Sequence, residues 1–103
     1  MDLTGKVAIV TGGASGLGRA TVEAYVGKGA RVAIFDMNEA NARNVISQLG
    51  EDNVAFFGVN VADEESVQAG INGVVERFGA IHVCNNFAGI GSVIPTIAPL
   101  LAL

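Results

Sequence analysis

The chain has 103 residues, half of them apolar and 16% charged, with ten acidic against six basic side chains and a net charge of −4. This profile excludes a disordered polyelectrolyte. Because Lys6, Arg19, Lys28, Arg31, Arg43 and Arg77 are scattered rather than clustered, it also argues against nucleic acid or an anionic membrane as partner. The length allows one domain, the lone Cys84 excludes an internal disulfide and suits a reducing compartment, and no apolar run has the form of a signal core or a membrane span, so a cytoplasmic protein is expected.

The first apolar run leads from Lys6 to Thr11, β-branched and almost continuous, as in a parallel strand buried on both faces. It runs into Thr11-Gly12-Gly13-Ala14-Ser15-Gly16-Leu17-Gly18, and a helix is expected from Leu17 to Lys28, with Leu17, Thr21, Ala24 and Tyr25 available for one face and Gly29 at its C′ position. A second strand, Arg31 to Phe35, ends at Asp36. Asn38 is a good N-cap for the next helix, whose buried stripe should be Ala42, Val45, Ile46 and Leu49 and whose stop is Gly50.

The third strand spans Val54 to Val59 and ends at Asn60-Val61. Asp63 then caps a helix with Glu64 and Glu65 in its first turn, where the dipole favours anions, and Val67, Ile71, Val74, Val75 and Phe78 recur at helical steps before Gly79. The interior Gly70 and Gly73 should each weaken that helix by roughly 1 kcal/mol relative to alanine. Ile81 to Cys84 reads as a fourth strand ending at Asn85-Asn86.

Alternation of strands and helices with short connections predicts an α/β fold: a Rossmann-type, doubly wound parallel sheet of about four strands in the order 3-2-1-4, with helices on both faces. The direction of winding reverses at the first strand, and ligands bind beyond the C-terminal strand edges at such a point. The glycine turn, Asp36, Asn60 and Asn86 all fall on that edge.

Glycines let a ligand lie against the main chain, and the helix that follows offers unpaired N–H groups and the positive end of its dipole. A phosphate loop of the GxxxxGK[ST] kind fails, because Arg19 and Ala20 follow Gly18. The GxGxxG fingerprint fails too, since Gly12, Gly16 and Gly18 are spaced GxxxGxG. Asp36 ends the second strand, where a carboxylate can bind both hydroxyls of an adenosine ribose and repel a 2′-phosphate; Ser15 and Met37 offer no cation to such a phosphate. NAD(H) is therefore expected over NADP(H).

With its preceding threonine, the TGxxxGxG loop resembles the cofactor loop of the short-chain dehydrogenase/reductase family, and the resemblance extends over residues 5 to about 91. Asn60-Val61 aligns with the family's Asp-Val, an amide standing for the acid. Asn86-Phe87-Ala88-Gly89 aligns with Asn-Asn-Ala-Gly, a phenylalanine standing for the second asparagine. The resemblance implies a cofactor site in which Gly12, Gly16 and Gly18 admit the pyrophosphate, Ser15 and Leu17 give backbone donors, Asp36 and Met37 meet the ribose end, and Asn60, Val61, Asn86, Ala88 and Gly89 line the adenosine side. It also implies hydride transfer between a secondary alcohol and a ketone. Gly12 to Gly18 and Ala88-Gly89-Ile90-Gly91 are most similar to members acting on 3-hydroxyacyl-CoA or hydroxysteroid substrates.

The family's Tyr-x-x-x-Lys pair and its serine have no counterpart here: Tyr25, the single tyrosine, is followed by Gly29 four residues on. The 103 residues alone are thus expected to be catalytically inactive, with no catalytic residue and no metal ligand to assign. Residues 1–91 are expected to form the dinucleotide-binding half-domain. Residues 92–103, with Pro95 and Pro99, lose the helical pattern as a truncated or frameshifted reading would. His82 reads as a strand-start residue and Cys84 as a buried strand residue. A second expectation is a stand-alone NAD-binding or interaction module that self-associates through an unpaired sheet edge.

Overall fold

The computed structural model describes residues 2–14 and 16–86. Four parallel strands, β1 (Val7–Thr11), β2 (Arg31–Asp36), β3 (Val54–Gly58) and β4 (Val83–Asn86), form one sheet in the order β3-β2-β1-β4. Between them run α1 (Gly16–Gly27), α2 (Glu39–Leu49) and α3 (Glu64–Phe78). The register places Val10 beside Ile34 on one side and Asn85 on the other, and Phe35 beside Phe57, so β1 and β2 lie inside the sheet. This is the Rossmann-like topology that the alternating pattern predicts.

Strand periodicity divides the core in two. Val7, Ile9, Ala33 and Phe35 point to the face covered by α3, where Val67, Ile71 and Val74 meet them. Ala8, Val10, Val32 and Ile34 point to the opposite face, against Val22 of α1 and Ala42, Val45 and Ile46 of α2. Each β1 residue is buried, as a strand between two parallel neighbours and two helix layers must be.

Two caps follow the sequence closely. Asn38 accepts the Asn41 N–H at 3.0 Å, and Asp63 accepts those of Glu65 and Ser66 at 3.0 and 3.4 Å. At the end of α3, Gly79 adopts φ +85° and donates its N–H to the Val75 carbonyl.

Three expectations need correction. The buried face of α1 is Gly18 and Val22 with Tyr25 and Val26 half-buried, while Leu17 is 76% exposed and Ala24 is exposed as well. The close seat of Gly18 on the glycine turn sets the rotation of the helix, and apolar spacing alone did not carry that constraint. In α3, Val75 is 41% exposed and Gly70 takes the place in the buried stripe. β4 starts at Val83, two residues later than expected, although His82 already joins β1: its N–H donates to the Val7 carbonyl and its Nδ1 accepts the Val7 N–H at 2.9 Å. No helix among the described residues is long and apolar enough to cross a membrane.

Candidate functional site

The C-terminal ends of β1, β2 and β3 converge at the glycine turn. Gly12 and Gly16 adopt φ of +69° and +60°, a region that disfavours side chains, and Gly12 donates its N–H to the Phe35 carbonyl at 2.8 Å. Gly18 is required for a different reason: a Cβ there would collide with the backbone carbonyl of Gly12. The spacing GxxxGxG is thus the spacing of two left-handed turns and one contact between α1 and the end of β1.

α1 carries no acidic residue in its first turn, in contrast to Glu39 of α2 and Glu64 and Glu65 of α3. The positive end of its dipole is therefore not offset by a carboxylate of its own, which suits an anion.

Asp36 closes the site from β2. Its Oδ1 accepts the N–H groups of Met37 at 2.7 Å and Asn38 at 3.0 Å, and its Oδ2 accepts that of Ala14, in the glycine turn, at 3.2 Å. The Asp36 carbonyl accepts the Val59 N–H, which carries the chain from β3 across the same edge. Asn60 then forms a side-chain turn, its Oδ1 accepting the Ala62 N–H at 3.0 Å, while Ser66 Oγ accepts the Asn60 N–H at 2.9 Å. An aspartate would accept the Ala62 bond equally well, so the amide in this position leaves the local turn intact.

Between these ends lies a cleft of about 160 Å³, lined by Gly12, Phe35, Asp36, Met37, Val59, Asn60 and Val61. Five of those seven are residues that the sequence singles out. Met37 is 72% exposed at this cleft, and Leu17, the second residue of α1, is likewise left largely in solvent. A larger hollow of about 340 Å³ lies by β3 between Arg43 and Arg77 and shares no residue with this cleft.

Gly12, Gly16, Leu17, Gly18, Asp36, Met37, Asn60 and Val61 are thus brought to one sheet edge. Asn86 ends β4 there, paired with Thr11 in the β1–β4 register. Ser15, Ala88 and Gly89, the Phe87 substitution and the segment 92–103 lie outside the described residues. Sequence reasoning missed Ala14, Phe35, Val59 and Ser66. Ala14 and Ser66 act through backbone or hydroxyl bonds to Asp36 and Asn60 that no spacing rule announces. Phe35 and Val59 are strand-end residues whose place in the cleft follows from the register.

Burial pushes the Cys84 thiol up to about 11, as befits a side chain packed against the α3-side core and not an activated nucleophile.

A family model described as short chain dehydrogenase matches residues 6–99. Among curated proteins, the chain is 46% identical over 95 residues to D-threitol dehydrogenase of Mycolicibacterium smegmatis, covering 90% of this chain and 36% of that protein. It is 38% identical over 97 residues to sorbitol dehydrogenase of Cereibacter sphaeroides, covering 94% of this chain and 38% of that one. With momilactone A synthase of Oryza sativa it shares 39% identity over 88 residues, 85% of this chain and 32% of that protein. The chain spans about a third of the length of the curated relatives it matches. A glycine turn of this geometry at the centre of a 3-2-1-4 sheet, together with a family match over nearly the whole chain, places this protein in the short-chain dehydrogenase/reductase family.

Proposed function

We propose that residues 1–91 are the nucleotide-binding part of an oxidoreductase that takes NAD(H) and moves a hydride between a secondary alcohol and a ketone. The observation that carries this reading is the cleft itself: Gly12, Asp36, Met37, Asn60 and Val61, from three separate strand ends, line one hollow of about 160 Å³. A cavity of about 150 Å³ takes a benzene ring, so the hollow is of the size that one flat ring of a nucleobase requires. Gly12, Gly16 and Gly18 at the start of α1 would admit the pyrophosphate, and the family resemblance assigns Ser15 and Leu17 as its backbone N–H donors. Asp36 would accept the ribose hydroxyls and Met37, Asn60 and Val61 would flank the base, while Asn86, Ala88 and Gly89 are assigned to the adenosine side by the family resemblance alone.

The choice of NAD over NADP rests on charge. A 2′-phosphate would meet the Asp36 carboxylate with no cation at Ser15 or Met37 to offset it. The tyrosine and lysine that the family uses for proton exchange have no counterpart in these 103 residues, so no proton-exchange role is assigned to any of them. The loop sequence resembles members acting on 3-hydroxyacyl-CoA or hydroxysteroid substrates, whereas the similarity to proteins named for D-threitol and sorbitol favours a small polyol.

Calorimetric titration of the chain with NAD and with NADP tests the reading. NAD should bind, and NADP should bind at least about tenfold more weakly, a difference of ~1.4 kcal/mol. Equal affinities would refute the cofactor preference, and no binding of either would refute the nucleotide site.

A further inference from the structure

We propose that Asp36 is also a positioning residue for the glycine turn, holding it in shape before any nucleotide arrives. The two oxygens of its carboxylate are divided between two elements. Oδ1 accepts the N–H groups of Met37 and Asn38 at 2.7 and 3.0 Å, which fixes the carboxylate on the turn between β2 and α2. Oδ2 reaches across 22 residues of sequence to the Ala14 N–H at 3.2 Å. Ala14 is only 2% exposed, so an N–H released there would be poorly placed to find water.

The turn is therefore tied to β2 twice. The first tie, from the Gly12 N–H to the Phe35 carbonyl, is backbone to backbone and depends on no side chain. The second, from Ala14 to Asp36, depends wholly on the carboxylate. Of the three bonds that the carboxylate accepts, the bond to Ala14 is the longest, near the upper end of ordinary N–H···O distances. It is the one that a substitution of Asp36 loosens first. This deepens the nucleotide reading, on which the turn's role as a phosphate cradle rests. Its consequence is that replacing Asp36 to admit a 2′-phosphate also slackens the turn on which the pyrophosphate lies.

Amide hydrogen exchange followed by NMR on the full chain without nucleotide tests this. Asp36→Asn keeps a single acceptor oxygen, which the two shorter bonds to Met37 and Asn38 should claim; Asp36→Ala keeps none. The Ala14 amide should exchange at least about tenfold faster in both variants, as loss of a hydrogen bond to a charged group implies. Met37 and Asn38 should accelerate only in Asp36→Ala, and Ile9 and Ile34, in the sheet interior, should report an unchanged fold in both. An Ala14 rate equal to that of the parent chain in both variants, with Ile9 and Ile34 still protected, would overturn the proposal. Because no nucleotide is present, the result is separate from the cofactor titration: protection of Ala14 by Asp36 without NAD binding would remove the nucleotide reading and support the positioning role.

Discussion

Gly18 is a helical residue whose replacement by alanine sets two effects against each other. Alanine improves helix propensity by about 1 kcal/mol. Its Cβ, however, would collide with the carbonyl of Gly12, a backbone atom fixed by the bond from the Gly12 N–H to Phe35. Neither side can yield without moving α1 off the sheet or opening the turn, so the steric term wins. Gly18→Ala should lower the unfolding free energy by about 1–3 kcal/mol in urea denaturation. It should weaken NAD binding in parallel, and an equally stable variant would show that the helix can shift without strain.

At the scale of the element, α3 explains two glycines that sequence reasoning counts only as a weakness. α3 lies over an edge-to-face pair formed by Phe35 and Phe57, ring centroids 6.0 Å apart. A Cβ at Gly70 would stand 2.6 Å from Val59 Cγ2 and 2.9 Å from Phe35 Cζ, both on fully or almost fully buried side chains. A Cβ at Gly73 would stand 2.6 Å from Phe57 Cε1, at the far end of a side chain that is only half-buried and so has more room to shift than Phe35 or Val59. The two substitutions should therefore have opposite signs. Gly70→Ala is expected to destabilise by about 1–3 kcal/mol through overpacking. Gly73→Ala is expected to stabilise by up to about 1 kcal/mol through helix propensity. Paired thermal melts check this, and the same sign for both would mean that Phe35 and Phe57 yield equally.

For the whole molecule, the lone thiol adds a pH dependence. Cys84 is raised from 9.0 to about 11 in the folded chain, so between those values the unfolded chain loses a proton that the folded chain keeps. Stability is then fully present below pH 9 and falls as pH rises toward 11. Urea denaturation at pH 8 and pH 10.5 should show a steeper alkaline loss for the parent chain than for Cys84→Ala, whatever the two stabilities are at pH 8. Equal slopes would place the thiol in water. The same burial should make Cys84 slow toward a disulfide reagent at neutral pH until denaturant is added.

The positions of the strands, the two side-chain caps and the stripe of α2 were legible because each rests on local chemistry: β-branched runs, an oxygen placed to accept the first free N–H groups, and apolar residues at helical steps. The converging site was legible for a topological reason, since parallel strands joined by helices must bring the glycine turn, Asp36 and Asn60 to the same edge. Tertiary structure alone decided which way α1 faces, leaving Leu17 in solvent and Gly18 against the turn, because that rotation depends on a backbone contact between residues six apart in sequence and not on hydrophobic spacing. It alone decided that Gly70 is a packing residue, because the volume it leaves is taken by side chains of β2 and the segment after β3. And it alone divided the Asp36 carboxylate between two elements, because a hydrogen bond across 22 residues follows from how strands pair and leaves no mark in local sequence.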